Sequence, residues 1–157
     1  MKRLFALLLI AAIIPAFAQD KVSKGAKTAA TDPVLEACKA QLKAWSAKDV
    51  KAASAFYAKD AGLAFFDISP LKYNGWAEYE KGVAAVLAEH KSLSLTANPD
   101  LKVHHAGNLV WVTGTIHAIL VTVKDKRMEG DARWTTLWEN RGGKWLIVHE
   151  HISFPAP

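Results

Sequence analysis

The chain has 157 residues, with twenty Lys and Arg against fifteen Asp and Glu, a formal charge of +5 at neutral pH. That length suits one domain with a real core and is short for two. A single cysteine, Cys38, excludes an internal disulfide, and no basic stripe interleaved with aromatics marks a nucleic-acid surface.

The N-terminus reads as a processing signal. Lys2 and Arg3 precede the apolar run FALLLIAAIIPAF, and Ala16 and Ala18 occupy the small-residue positions of a cleavage site. Leu4 to Ala18 contains Pro15 and falls short of the ~20 residues of a membrane-spanning helix. Residues 1–18 are therefore expected to be a signal peptide cut after Ala18, which makes the mature protein periplasmic or secreted, with no membrane attachment. Residues 19–31, QDKVSKGAKTAAT, lack apolar periodicity and read as a flexible leader that carries much of the excess positive charge. Residues 32–157 form the expected single domain.

Within that domain Thr31-Asp32-Pro33 opens a helix whose apolar face is Leu35, Cys38, Leu42 and Trp45. At this spacing Cys38 reads as a buried thiol rather than a nucleophile. Asp49 caps a second, short helix with Val50, Ala53, Phe56 and Tyr57. GLAFFDI reads as a strand and SPLKYNG as a turn-rich loop, and a third helix spans about 76–89 with Tyr79 and Val83 inward. Strands follow at about 92–97, 100–105, 109–124, 128–140 and 144–154, with turns at Asn98-Pro99, Gly107-Asn108 and Arg141-Gly142-Gly143. Helices first and an antiparallel run afterwards is an α+β pattern, with helices on one face of a curved sheet.

The last strand contains KWLIVHEHISFP. Strict alternation puts Trp145, Ile147, His149, His151 and Ser153 on one face, and Leu146, Val148, Glu150, Ile152 and Phe154 on the other. The first face suits a pocket with an apolar floor and a polar end, and equally a strand emerging from a core into water. As a metal site, His149 and His151 need a third ligand; His117 lies two strands away, too far for a shared ion.

ARWTTLWENRGGKWLIVHEHISFP resembles the C-terminal hairpin of the SnoaL-like branch of the nuclear transport factor 2-like superfamily, and GKWLIVHEH also resembles the calcium/calmodulin-dependent kinase II association domain. KDVKAASAFYAKDAGLAFFD is similar to the family's helix, Tyr-Ala-x-Asp-Ala and first strand. The resemblance covers most of residues 33–155. It implies a cystatin-like cone: a strongly bent, mixed but mostly antiparallel sheet around about three N-terminal helices, with a pocket at the open end. Functions in this superfamily range from isomerases, cyclases and dehydratases to binding and oligomerisation modules.

Set beside ketosteroid isomerase, the resemblance places Asp67 near the position of the general base, at the end of the strand after Phe65 and Phe66. It places Gln41 where those isomerases carry an oxyanion-hole tyrosine, and Gln41 lacks that acidity. The alternative for Asp67 is a turn-opening residue before Ser69-Pro70. The catalytic candidates are then Asp67 and His149, acting on a proton next to a carbonyl. Ligand-binding candidates are His151, Arg133, Tyr57, Trp76, Trp111 and Ile147, with Phe65, Trp134 or Trp138 completing an apolar lining. Tyr57 and Trp76 flank the SPLKYNGW loop, read as lying over the mouth. No cofactor or metal is called for, since no nucleotide-binding loop, nucleophile elbow or complete metal motif occurs.

Two readings follow. In one, an exported protein binds or transforms a small apolar or aromatic organic ligand. In the other, the outer face of the sheet makes a homodimer or larger homo-oligomer, because GNLVWVTGTIHAILVTVKD is apolar on both parities.

Overall fold

Asp32 caps the first helix as its position before Pro33 predicts: its side chain accepts the Val34 backbone N–H at 2.8 Å, worth about 1 kcal/mol. A computed structural model describes residues 32–156; the expected signal peptide and the 19–31 leader lie outside the described residues. Helix α1 (Pro33–Ser46) is followed by α2 (Val50–Ser54), capped by the Asp49 side chain, and α3 (Gly75–Ala88). Among the described residues no helix is long and apolar enough to cross a membrane.

Seven strands follow among the described residues: β1 (Ala64–Phe66), β2 (Tyr73–Asn74), β3 (His90–Ala97), β4 (Lys102–Ala106), β5 (Leu109–Thr122), β6 (Arg127–Arg141) and β7 (Lys144–Ser153). Their order is β2-β1-β7-β6-β5-β3, and β4 also pairs with β5. All pairs are antiparallel except β1 with β7, so the sheet is mixed as expected. The β6–β7 hairpin turns through Gly142 and Gly143, both at positive φ, which a two-residue turn of this hand requires.

Three features depart from the sequence reading. Strand β2 was hidden in the turn-rich SPLKYNG segment, where two residues are too few to show a period. Asn98-Pro99 does not close a hairpin, since β3 and β4 lie end to end along the same side of β5. Gly114 faces that break: a Cβ there would stand 3.0 Å from Leu101 Cα, so the chain can step inward only past a glycine.

The third departure positions the site. Leu137 pairs with His149, but the next residue, Trp138, pairs with Ile147, which leaves Val148 as an extra residue in β7. This is a β-bulge, and it resets the alternation of every residue beyond it. Ile147 and Glu150 both become buried although they are three apart.

Helices α1 and α3 cover the inner face. Val34, Cys38, Leu42 and Trp45 of α1 meet Val110, Trp134 and Trp138 of the sheet in one core. The Cys38 thiol is fully buried, and burial pushes its pKa up to about 12, which keeps it protonated and inert.

Candidate functional site

Glu150 is 1 % exposed, in the middle of the inner face of β7. Four donors converge on its carboxylate. Trp134 Nε1 donates to Oε1 at 2.7 Å, and Gln41 Nε2 reaches the same oxygen at 3.2 Å. The hydroxyls of Tyr57 and Tyr79 donate to Oε2 at 2.5 and 2.9 Å. Among the described residues no cationic side chain forms an ion pair with it. A carboxylate without a counter-ion is sustained by hydrogen bonds alone, each stronger in dry surroundings than in water.

The directions of those bonds can be assigned. Trp45 Nε1 donates to the Tyr57 hydroxyl at 3.0 Å and can do nothing else. Tyr57 has one hydrogen, and it is spent on Glu150. The Gln41 atom 2.6 Å from the same hydroxyl must therefore be the amide nitrogen, which turns Gln41 Oε1 the other way. That oxygen is fully buried and has no partner among the described residues.

Gln41, Trp45, Tyr79 and Glu150 line an otherwise mostly aliphatic cavity between α1, α3 and the sheet, with a volume of about 90 Å³. That is roughly the room of three liquid water molecules. Asp67 lines this cavity too, and also an open groove of about 750 Å³. Ile68, Ile152 and Phe154 border both spaces, so cavity and groove meet at Asp67. Burial raises the Asp67 pKa, opposed by the Ile68 backbone N–H that its Oδ1 accepts at 2.7 Å. Burial raises Glu150 too, against the pull of its donors, and the Asp67 charge adds to the rise.

The expected site residues divide into three groups. Asp67 takes its expected place at the end of β1. Tyr57 is buried as a strut under Glu150, and Trp76 packs on the Tyr57 ring at 4.6 Å rather than over a mouth. Ile147, Phe65, Trp134 and Trp138 are core residues outside the cavity wall.

His149, His151, Arg133 and Trp111 lie outside the cavity, because the bulge turns the histidines to the outer face. His149 Nδ1 donates to the Ala64 carbonyl at 2.7 Å and its ring stands edge-on to Phe66. His151 is exposed and borders only the groove. Arg133 donates to the Phe154 carbonyl at 3.1 Å, and Trp111, 38 % exposed, stacks on His104. His117, weighed as a third metal ligand, is instead held by Asp131 and Glu129. No cluster of three metal-ligating side chains occurs among the described residues.

Alternation hid Glu150. A lone acid between Val148 and Ile152 on an otherwise apolar face was the available signal.

A bent mixed sheet covered by helices, with a cavity and a buried acid between α1, α3 and the sheet, defines an α+β cone domain of cystatin-like architecture. The chain belongs to the SnoaL-like domain family, whose model matches residues 34–157. No match is found among curated proteins. Solved structures with the same fold include a nuclear transport factor 2-like superfamily protein from Salmonella enterica, 17 % identical over 79 % of this chain and 89 % of its own, at a TM-score of 0.72. An uncharacterised protein with a cystatin-like fold from Caulobacter vibrioides is 18 % identical over 81 % of this chain and 90 % of its own, at 0.68. An NTF2-like protein of unknown function from Pseudomonas putida is 24 % identical over 83 % and 90 %, at 0.65. At these identities the likeness is one of fold.

Proposed function

We propose that this protein is an exported binding protein for a small, largely apolar organic molecule, which it holds in the cavity between α1, α3 and the sheet. The carrying observation is a largely aliphatic cavity whose wall includes a buried polar atom, Gln41 Oε1, without a protein partner among the described residues. Leaving such an atom unpaired costs about 1–3 kcal/mol, which a donor on a bound ligand would offset. Binding is better supported than proton abstraction beside a carbonyl. Asp67 supplies a base, but the hydrogens of Gln41, Tyr57 and Tyr79 are already spent on the Glu150 cluster, leaving no donor for an enolate oxygen.

Native mass spectrometry of the mature protein against its denatured mass tests this reading. An organic adduct is expected on the wild type and is expected to vanish in Ala132→Leu, which places a larger side chain at a buried position of the cavity wall. An adduct that survives the substitution would place the ligand elsewhere. The denatured mass also tests export: it should correspond to a chain beginning at Gln19, and an intact Met1 in periplasmic or secreted material would refute cleavage after Ala18.

Assembly is the second reading, favoured by Trp111, 38 % exposed on the outer face, and by Phe66 beside His149 and His151 there. The same native spectrum shows whether a homodimer forms.

A further inference from the structure

The cavity carries more information than its existence, because the hydrogen-bonding capacity left on its wall has one sign. Trp45 Nε1 is used on Tyr57, and with Glu150 ionised the Tyr79 hydroxyl hydrogen is used on that carboxylate. Gln41 Nε2 is used on Tyr57 and Glu150. What remains free is Gln41 Oε1 and the Asp67 carboxylate, whose only hydrogen bond among the described residues is the Ile68 N–H on Oδ1. Both are acceptors. Among the described residues, no Lys, Arg or His lines the cavity, whereas two carboxyl groups do.

Resting on the proposed binding role of this cavity, we infer that its ligand carries a hydrogen-bond donor with positive charge, an apolar primary or secondary amine bound as its ammonium ion. The free acceptors Gln41 Oε1 and the Asp67 carboxylate both border this space, and an ammonium group supplies two or three donors with a full positive charge. It would pair with Gln41 Oε1 and neutralise part of the field of Asp67 and Glu150, which is stronger in a largely apolar cavity than in bulk water. A carboxylate or phosphate would meet two like charges and no donor, and an alcohol would satisfy one acceptor without answering the charge. The volume of about 90 Å³ limits the enclosed part to a handful of non-hydrogen atoms. A longer apolar portion can pass Asp67 into the groove lined by Phe66, Leu71 and Phe154.

The test uses four compounds of one shape: cyclopentylamine, cyclopentanol, methylcyclopentane and cyclopentanecarboxylate. Their binding to the mature protein and to its Ala132→Leu and Asp67→Asn variants is followed by chemical-shift titration at neutral pH. The amine is expected to bind at least tenfold more tightly than the alcohol, the carboxylate not at all, and all binding to disappear in Ala132→Leu. In Asp67→Asn, a half-buried position that tolerates an isosteric change, the preference for amine over alcohol should shrink severalfold. Equal binding of amine and alcohol, or binding of the carboxylate that Ala132→Leu removes, would overturn the ammonium inference and leave the binding cavity standing. No binding by any of the four, or binding indifferent to Ala132→Leu, would overturn both.

Discussion

Replacing Glu150 with alanine is expected to cost about 4 kcal/mol of folding stability, read as a lower urea midpoint. The substitution strands four donors at once. Trp134 Nε1 and Gln41 Nε2 lose Oε1, and the Tyr57 and Tyr79 hydroxyls lose Oε2. Each buried donor left unpaired costs about 1–3 kcal/mol, and the four do not add because the two hydroxyls can turn to new partners. The loss is a large part of a total that for most domains is about 5–15 kcal/mol. Glu150→Gln should cost roughly half as much: one oxygen still accepts, but its amide group faces donors. Near Tyr57 it meets a hydroxyl that already accepts from Trp45 and Gln41. The glutamine variant reports even if the alanine variant does not fold. A loss below about 1 kcal/mol in both would mean that the cluster is not the centre of the domain that its geometry indicates.

How much of this was legible beforehand follows from what kind of signal each element leaves. The caps at Asp32 and Asp49 and the hairpin at Gly142-Gly143 are local, and they appear where the residues place them. The long strands β5 and β6 read correctly because fourteen and fifteen residues average out local noise. The end-to-end placement of β3 and β4 was not legible, since strand order is decided by which partner each edge meets and no property of Asn98-Pro99 encodes that.

The candidate site was half legible, for a specific reason. The family resemblance placed Asp67 and Gln41, and both line the cavity. Alternation along β7 then exchanged the roles of His149 and Glu150. One extra residue, Val148, was enough, because a side-chain period of two has no tolerance for an insertion. The histidines stand out by chemical type, whereas Glu150 sits among apolar neighbours and strict alternation assigns it to the opposite face. A bulge leaves no sequence mark of its own here, since Val148 is an ordinary strand residue.

The second large effect expected is a stability that declines as pH rises through the acid range, contributed by Asp67 and Glu150. Both carboxyls are raised above their ordinary values of 3.8 and 4.5, first of all by burial. A raised carboxyl binds its proton more tightly in the folded chain, so its contribution is complete below the unfolded value and is lost as pH climbs through the folded one. The Glu150 network accommodates either state. When Glu150 is protonated its hydrogen can go to the Tyr79 hydroxyl, the one neighbour able to accept, and Tyr57 keeps its bond. The two tyrosines themselves are raised and titrate well above this window. Surface groups oppose the trend. Asp131, Glu129 and Asp60 are lowered by hydrogen bonds from Asn98, Arg127 and Arg141, and Asp32 is lowered on balance by its bonds to His105 and the helix start despite some burial. Those four lose stability as pH falls, so the wild-type profile alone mixes two signs. The difference between wild type and Asp67→Asn isolates one: the variant should be close to wild type at pH 4 and more stable than it at pH 7, measured by urea unfolding at each pH. A difference that is flat across that range would mean that Asp67 is solvated and the cavity is wetter than its lining suggests. Added cyclopentylamine should act in the opposite sense on the wild type, stabilising it more at pH 7 than at pH 4, because an ammonium ion favours the ionised pair that burial disfavours.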